Sequence, residues 1–392
     1  MAKRTVFALA ARDKHEAHRV ATPLELMFDL ASVIAIATAA HGLAHALVEG
    51  HAVEGLIGFA CGFFMIWWAW MNYTWFASAY DDDSPAFRAL SMVVMFGALV
   101  MAAGVDAAFA GERIWLALSG FLIMRLAMAV FWLAAARGDP DRRTTALRYA
   151  AGIVVVQAYW VALVAWVPPD SAAYLPLFAA GALAEVAVPA LAEWFGVTTW
   201  HRHHIVERYG LLNIIVLGEC FLAIVAMIGM SPAAGLPSAD HLALAAVSAI
   251  IAFSLWSLYF GDESHLAREE LRHALVWGYG HFGLFAAGAA TGAGMVVMLA
   301  VANHEGHVSE RTGIWSVAIP VAIYLASLWL VRDRLAPAPF ARWLLPAVAA
   351  VILLLAALAP FALPLIAAVL VATALGQRLC YRRPQAEAEG AR

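Results

Sequence analysis

The sequence predicts an all-α polytopic membrane protein of about 12 transmembrane helices in two parallel six-helix repeats. Three observations carry this. The 392 residues are 64% hydrophobic and 13% charged, where a soluble chain carries about 25% charged residues. The apolar residues come in runs of about 20, the length that crosses a bilayer. All of the 24 lysines and arginines except Arg113, Arg311 and the intramembrane Arg125 then fall on one side, as expected of a membrane protein with cytoplasmic basic loops.

The spans follow in order. Span 1 (24–48) begins after Pro23, and span 2 (53–78) holds the aromatic run "WWAWMNYTWF". Span 3 (87–108) opens on "FRAL", span 4 (113–136) on "RIW", and span 5 (146–167) on "LRY". Span 6 (171–193) contains "LPLFAA", Glu185 and Pro189. Span 7 (208–230) carries Glu219, and span 8 (240–260) carries Trp256-x-x-Tyr259. Span 9 (272–300) follows "LRHAL", span 10 (313–331) "GIW" and span 11 (341–358) "ARW", while span 12 (361–378) contains "LPLIAA". The last two are short and turn near Pro360, so a re-entrant hairpin is the alternative there.

Those short strings supply the repeat. Trp70-x-x-Tyr73 answers Trp256-x-x-Tyr259, acidic residues follow each (Asp81 to Asp83; Asp262 and Glu263), and the remaining matches are collinear. The expected division is a cytoplasmic tail 1–19, a first repeat 20–195, a second repeat 196–380 and a cytoplasmic tail 381–392. An even number of helices per half keeps both halves in the same orientation, as in some transporters. The tail before span 1 has too short an apolar core for a cleavable signal peptide. Cys61, Cys220 and Cys380 form no motif.

Charges inside the spans are the candidate functional residues, because each costs ~2.5–3.5 kcal/mol at mid-bilayer. Glu25 and Asp29 lie one turn apart on one face, near a helix N-terminus that favours anions. They read either as a helix start bound to Arg19 or Arg208, or as an inner vestibule for a cation or proton. Glu25 aligns with Glu207 in the second half, whereas Asp29, Arg125, Glu185 and Glu219 align with apolar residues or threonine. Arg125 is the one basic residue deep enough to neutralise Glu219 or Glu185, and it cannot neutralise both. Pro189 removes the helical partner of the Glu185 carbonyl. Trp67, Trp70 and Trp75 are candidates for an interfacial belt. Trp70 and Tyr73, with Trp256 and Tyr259, are expected to face a central cleft that takes an organic or cationic ligand. "HRHH" (His201, His203, His204) is expected in an inner loop, with His204 capping or pairing with Glu207. The histidines of "HGLAH" sit at the opposite end of span 1, so no shared metal centre is expected.

Two blocks, "TPLELMFDLASVIAIA" from Thr22 and "HHIVERYGLLNIIVLGEC" from His203, resemble the most recognisable motifs of the bacterial low temperature requirement A (LtrA) family. There they read like TPLELFFDLVFVFAI and H-x-x-ERFGL-x-x-IILGE. Arg125, the Glu185-x-x-x-Pro189 step and "WAWMNYTWFASAYD" fit as well, so the likeness covers nearly the whole chain. Ala31 and Ser32 replace bulkier residues after the FDL step. The resemblance implies an integral membrane protein linked by name to growth in the cold, with no substrate or catalytic set attached.

The expected function is secondary transport or an ion pathway coupled to protons or cations, in the bacterial inner membrane with both termini cytoplasmic. Glu219 and Glu185 are the expected midplane sites, Arg125 their counter-ion, and Glu25, Asp29 and Glu207 the inner vestibule, with Arg208 a further candidate beside it. The alternatives are a membrane scaffold or sensor with static salt bridges, and a lipid-modifying enzyme. No nucleophile or metal centre favours the enzyme. No cofactor and no nucleic acid are expected; the expected partners are the lipid bilayer and a proton, cation or small solute.

Overall fold

Every regular element among the described residues is helical in the computed structural model, which describes residues 8–16, 19–194, 196–229, 238–261, 266, 270–335 and 339–389. The helices are α1 (Pro23–Val48), α2 (Ala52–Tyr80), α3 (Pro85–Ala103), the single turn α4 (Asp106–Phe109), α5 (Trp115–Gly138), α6 (Arg143–Trp166) and α7 (Tyr174–Glu193). They continue with α8 (Arg202–Gly229), α9 (Ala239–Tyr259), α10 (Leu271–Ala302), α11 (Glu310–Val331), α12 (Pro339–Leu358) and α13 (Ala362–Glu389). Ten of them are long and apolar enough to cross a membrane. The apolar parts of the last two, Arg342–Leu358 and Ala362–Arg378, are shorter, reaching about 26 Å at 1.5 Å per residue.

The helix ends show local chemistry at work. Ser84, Ser238 and Ser309 cap α3, α9 and α11, each accepting the amide of the residue three positions on, which satisfies a donor that a helix start otherwise leaves unpaired. One expectation is corrected here. The "HRHH" stretch is not a loop: α8 begins at Arg202, so His203 and His204 lie in its first turn. Hydropathy hides this extension, because the buried His204 is satisfied by Glu25, a residue distant in sequence. Asp262 and Glu263, expected to answer Asp81 to Asp83, lie outside the described residues.

The chain divides into two compact units, Met1–Gly42 with Leu56–Tyr209, and Leu43–Gly55 with Gly210–Arg392. In the first, α3 packs on α5, α5 on α6 and α6 on α7. Gly97 and Gly120 face each other where α3 crosses α5, with no room for a Cβ on either; small residues of this kind let membrane helices approach closely. In the second, α10 packs on α11, α11 on α12, α12 on α13, and α13 on α9. There Gly288 lies against Val216 and Tyr324, and Gly292 against the backbone of Glu219 and Cys220, so a Gly-x-x-x-Gly face of α10 receives α8.

Candidate functional site

"TPLE" opens α1 as a capping box. The Glu25 carboxylate accepts from the Thr22 amide at 2.8 Å and from its hydroxyl at 3.0 Å, and Thr22 Oγ1 accepts from the Glu25 amide at 3.3 Å. Two orphan donors at the helix start are thereby satisfied reciprocally. The other carboxylate oxygen of Glu25 stands 3.0 Å from His204 Nε2 and 3.7 Å from Arg19 Nη2. Glu25, His204 and Arg19 are all buried. His204 therefore meets Glu25, and not Glu207 as expected. Glu207 is half-buried and accepts from the Ala21 amide at 3.3 Å. The local capping role of Glu25 and its ion pairing come from one side chain.

One turn deeper, Asp29 is gripped by Arg208. The guanidinium donates from Nη1 to Oδ2 at 2.6 Å and from Nη2 to Oδ1 at 2.7 Å. This bidentate fork is the strong geometry for an arginine–carboxylate pair. Trp70 adds a third donor, Nε1 to Oδ1 at 2.7 Å, and its ring centroid lies 5.9 Å from the Arg208 guanidinium carbon, within cation–π range. Tyr209 meets Trp70 edge-on at 5.1 Å, and Trp75 Nε1 donates to its hydroxyl at 2.9 Å.

Arg125 selects Glu185. Nη2 donates to Oε2 at 2.7 Å. Glu185 also accepts from Trp68 Nε1 at 2.9 Å, Gln157 Nε2 at 2.7 Å and Trp160 Nε1 at 3.3 Å. Four donors from α2, α5 and α6 thus converge on one carboxylate of α7. The sequence reading missed Trp68, Gln157 and Trp160. A signal was available for Gln157, the lone amide in the apolar run "GIVVVQAYW"; the two tryptophans are recognisable only by their neighbours.

Glu219 stands apart. It is 6% exposed, in the middle of α8, and its carboxylate makes no hydrogen bond or ion pair among the described residues. On the same helix, Asn213 accepts from Tyr324 at 3.0 Å and Cys220 is buried.

The aromatic candidates sit in different environments. Trp70, Tyr73 and Tyr259 are buried, whereas Trp256 is 43% exposed. Trp67, a belt candidate together with Trp70, is also buried. Tyr73 donates to Ser91 at 2.9 Å. His281 Nδ1 lies 2.7 Å from the Trp277 carbonyl, which only accepts, so Nδ1 carries the proton and Nε2 receives the Tyr259 hydroxyl at 3.2 Å. None of these residues lines the 310 Å³ cavity or the smaller one in the first unit.

Comparison with known proteins gives a family and little else. The model of a family described as Bacterial low temperature requirement A protein (LtrA) matches residues 20–376. An uncharacterized protein of Rhizobium meliloti (strain 1021) is 25% identical over 264 residues, covering 63% of this chain and 59% of that relative. This chain thus matches less than two thirds of the relative's own length. No solved structure matches.

Proposed function

The chain belongs to the bacterial low temperature requirement A (LtrA) family, and on that premise we propose that it is a multi-pass carrier or ion pathway of the cytoplasmic membrane, coupled to protons or cations through Glu219. The observation that carries this reading is a contrast. Glu25, Asp29 and Glu185 are each held by a cation and further donors, while Glu219, also buried and in the middle of α8, has no partner among the described residues. A buried acid with no counter-ion is free to take up and release a proton, and ionisable residues inside a membrane mark such pathways. In this reading the paired charges position the helices, and the vestibule residues Glu25, Asp29 and Glu207, with Arg208 on Asp29, work as a fixed clamp.

Two parallel repeats agree with several details. The packing series α3–α5–α6–α7 is answered by α10–α11–α12–α13. Tyr73 of α2 donates to Ser91 of α3, and Tyr259 of α9 to His281 of α10. Gly111 and Gly306 both have φ of 66° in the turns before α5 and α11, and 3₁₀ turns Pro140–Arg142 and Asp333–Leu335 follow those helices. Cytoplasmic termini rest on the distribution of lysine and arginine.

The test is proton flux into vesicles holding the purified protein and a pH-sensitive dye, driven by an imposed potential. Wild-type protein should conduct above protein-free vesicles, and Glu219→Gln should abolish that flux while unfolding at the wild-type temperature. A second reading, a static scaffold or sensor, is favoured by the locked Arg125–Glu185 and Asp29–Arg208 pairs. Wild-type flux equal to that of empty vesicles supports it, as does undiminished flux in Glu219→Gln.

A further inference from the structure

A cavity of about 310 Å³ opens in the first unit between the N-terminal segment, the start of α3 and the end of α5, with Leu9, Phe87, Leu90, Val93, Val130 and Ala134 among its walls. The volume is at the lower end of the range of small-molecule sites, about 300–1,000 Å³. Its named walls carry no polar side chain. Val93 and Val130 are 44% and 39% exposed, so the slot opens sideways between two helices that are long and apolar enough to span a membrane. The N-terminal segment closes its end: the Leu9 amide donates to the Ala134 carbonyl at 3.1 Å, and Gly138 leaves no room for a Cβ against the Leu9 backbone.

A cation stands at that end. Arg137 follows Val130 and Ala134 by seven and three residues, which places all three on one face of α5. It is exposed and has no ion pair or hydrogen bond from its side chain among the described residues. Two arginines of the flanking segments are already neutralised, Arg88 by Asp83 at 2.7 Å and Arg12 by Glu16 at 2.6 Å. An apolar slot open to lipid, with the unneutralised guanidinium of Arg137 where the helix leaves the membrane, matches one occupant in both shape and charge. We infer that the slot holds an acyl chain of an anionic phospholipid whose phosphate rests on Arg137. Arginine suits this task, because its planar fork matches phosphate oxygens.

The experiment uses the full chain in bilayer discs of equal phosphatidylglycerol and phosphatidylcholine, released gently and weighed intact with its retained lipid. Wild-type protein should retain one phosphatidylglycerol in about five-fold preference, the equivalent of ~1 kcal/mol for one basic residue near an anionic surface. Arg137→Gln should keep a lipid and lose the preference, while Arg143→Gln, an exposed arginine off the slot, keeps both. Val130→Trp or Val93→Trp, each checked for a wild-type unfolding temperature, should fill the slot and retain neither lipid. Equal retention of the two lipids by wild-type protein overturns the assignment. So does unchanged preference in Arg137→Gln, wild-type retention in both tryptophan variants, or a doubled mass showing that a second copy covers the face.

Discussion

Arg125 and Glu185 stand 2.7 Å apart with both side chains wholly buried. They are 60 residues apart in sequence, on α5 and α7. The pair is neutral as a unit, and Trp68, Gln157 and Trp160 fill the remaining acceptor sites of the carboxylate. Neither charge has water to fall back on.

Breaking that pair from one side therefore leaves a buried, uncompensated charge, at a cost of roughly 3–5 kcal/mol. Glu185→Gln and Arg125→Leu should each lower the unfolding temperature strongly. The double variant should regain much of the loss. Unfolding measured in one detergent decides it; a single variant as stable as wild type removes the lock.

Arg208→Lys keeps the charge beside Asp29 and loses the fork and the contact with Trp70. One charge-assisted hydrogen bond is worth about 1.5–3 kcal/mol, and the loss should fall in that range. Trp70→Phe, which removes only the indole donor to Asp29, should cost no more. If Arg208→Lys unfolds with wild type in a denaturant titration, the bidentate geometry contributes nothing.

At the start of α1, Thr22→Ala should cost about 1 kcal/mol, and Thr22→Ser should be close to wild type because it keeps the hydroxyl. Equal stability of the two variants would show that the cap is replaced by water.

Asp81, at the α2–α3 turn, is shifted up from the ordinary carboxylate range by burial, against the opposing pull of Arg19 and Arg12. A raised acid keeps its proton in the folded chain over a pH window in which the unfolded chain has lost it. Stability then falls as pH rises from the ordinary aspartate value through the folded one. Asp81→Asn should flatten this slope and stabilise the protein above the window. A stability–pH curve of unchanged slope in Asp81→Asn contradicts the sign.

Single cysteines at Asp141 and Glu305, introduced after replacing the native ones, should react with an impermeant reagent from opposite faces of the membrane. Asp141 lies between α5 and α6, and Glu305 between α10 and α11. Reaction from the same face refutes the order of spans.

What the sequence determined by itself is most of what is local along the chain, the start of α8 excepted. Apolar runs of about 20 residues fix where helices form, and the ends of α1, α9, α10 and α11 lie within three residues of those read from hydropathy. The motifs around "TPLE" and "ERYGLLN" fixed the family. Which acid Arg125 would choose was open in the sequence, and His204 was expected on Glu207. Tertiary structure decided both, giving Arg125 to Glu185 and His204 to Glu25. Asp29 meets Arg208 across 179 residues. Hydropathy records the cost of placing a charge in lipid, which every such residue shares. Its compensation depends on which helices pack face to face, and that pairing leaves Glu219 alone among the described deep acids.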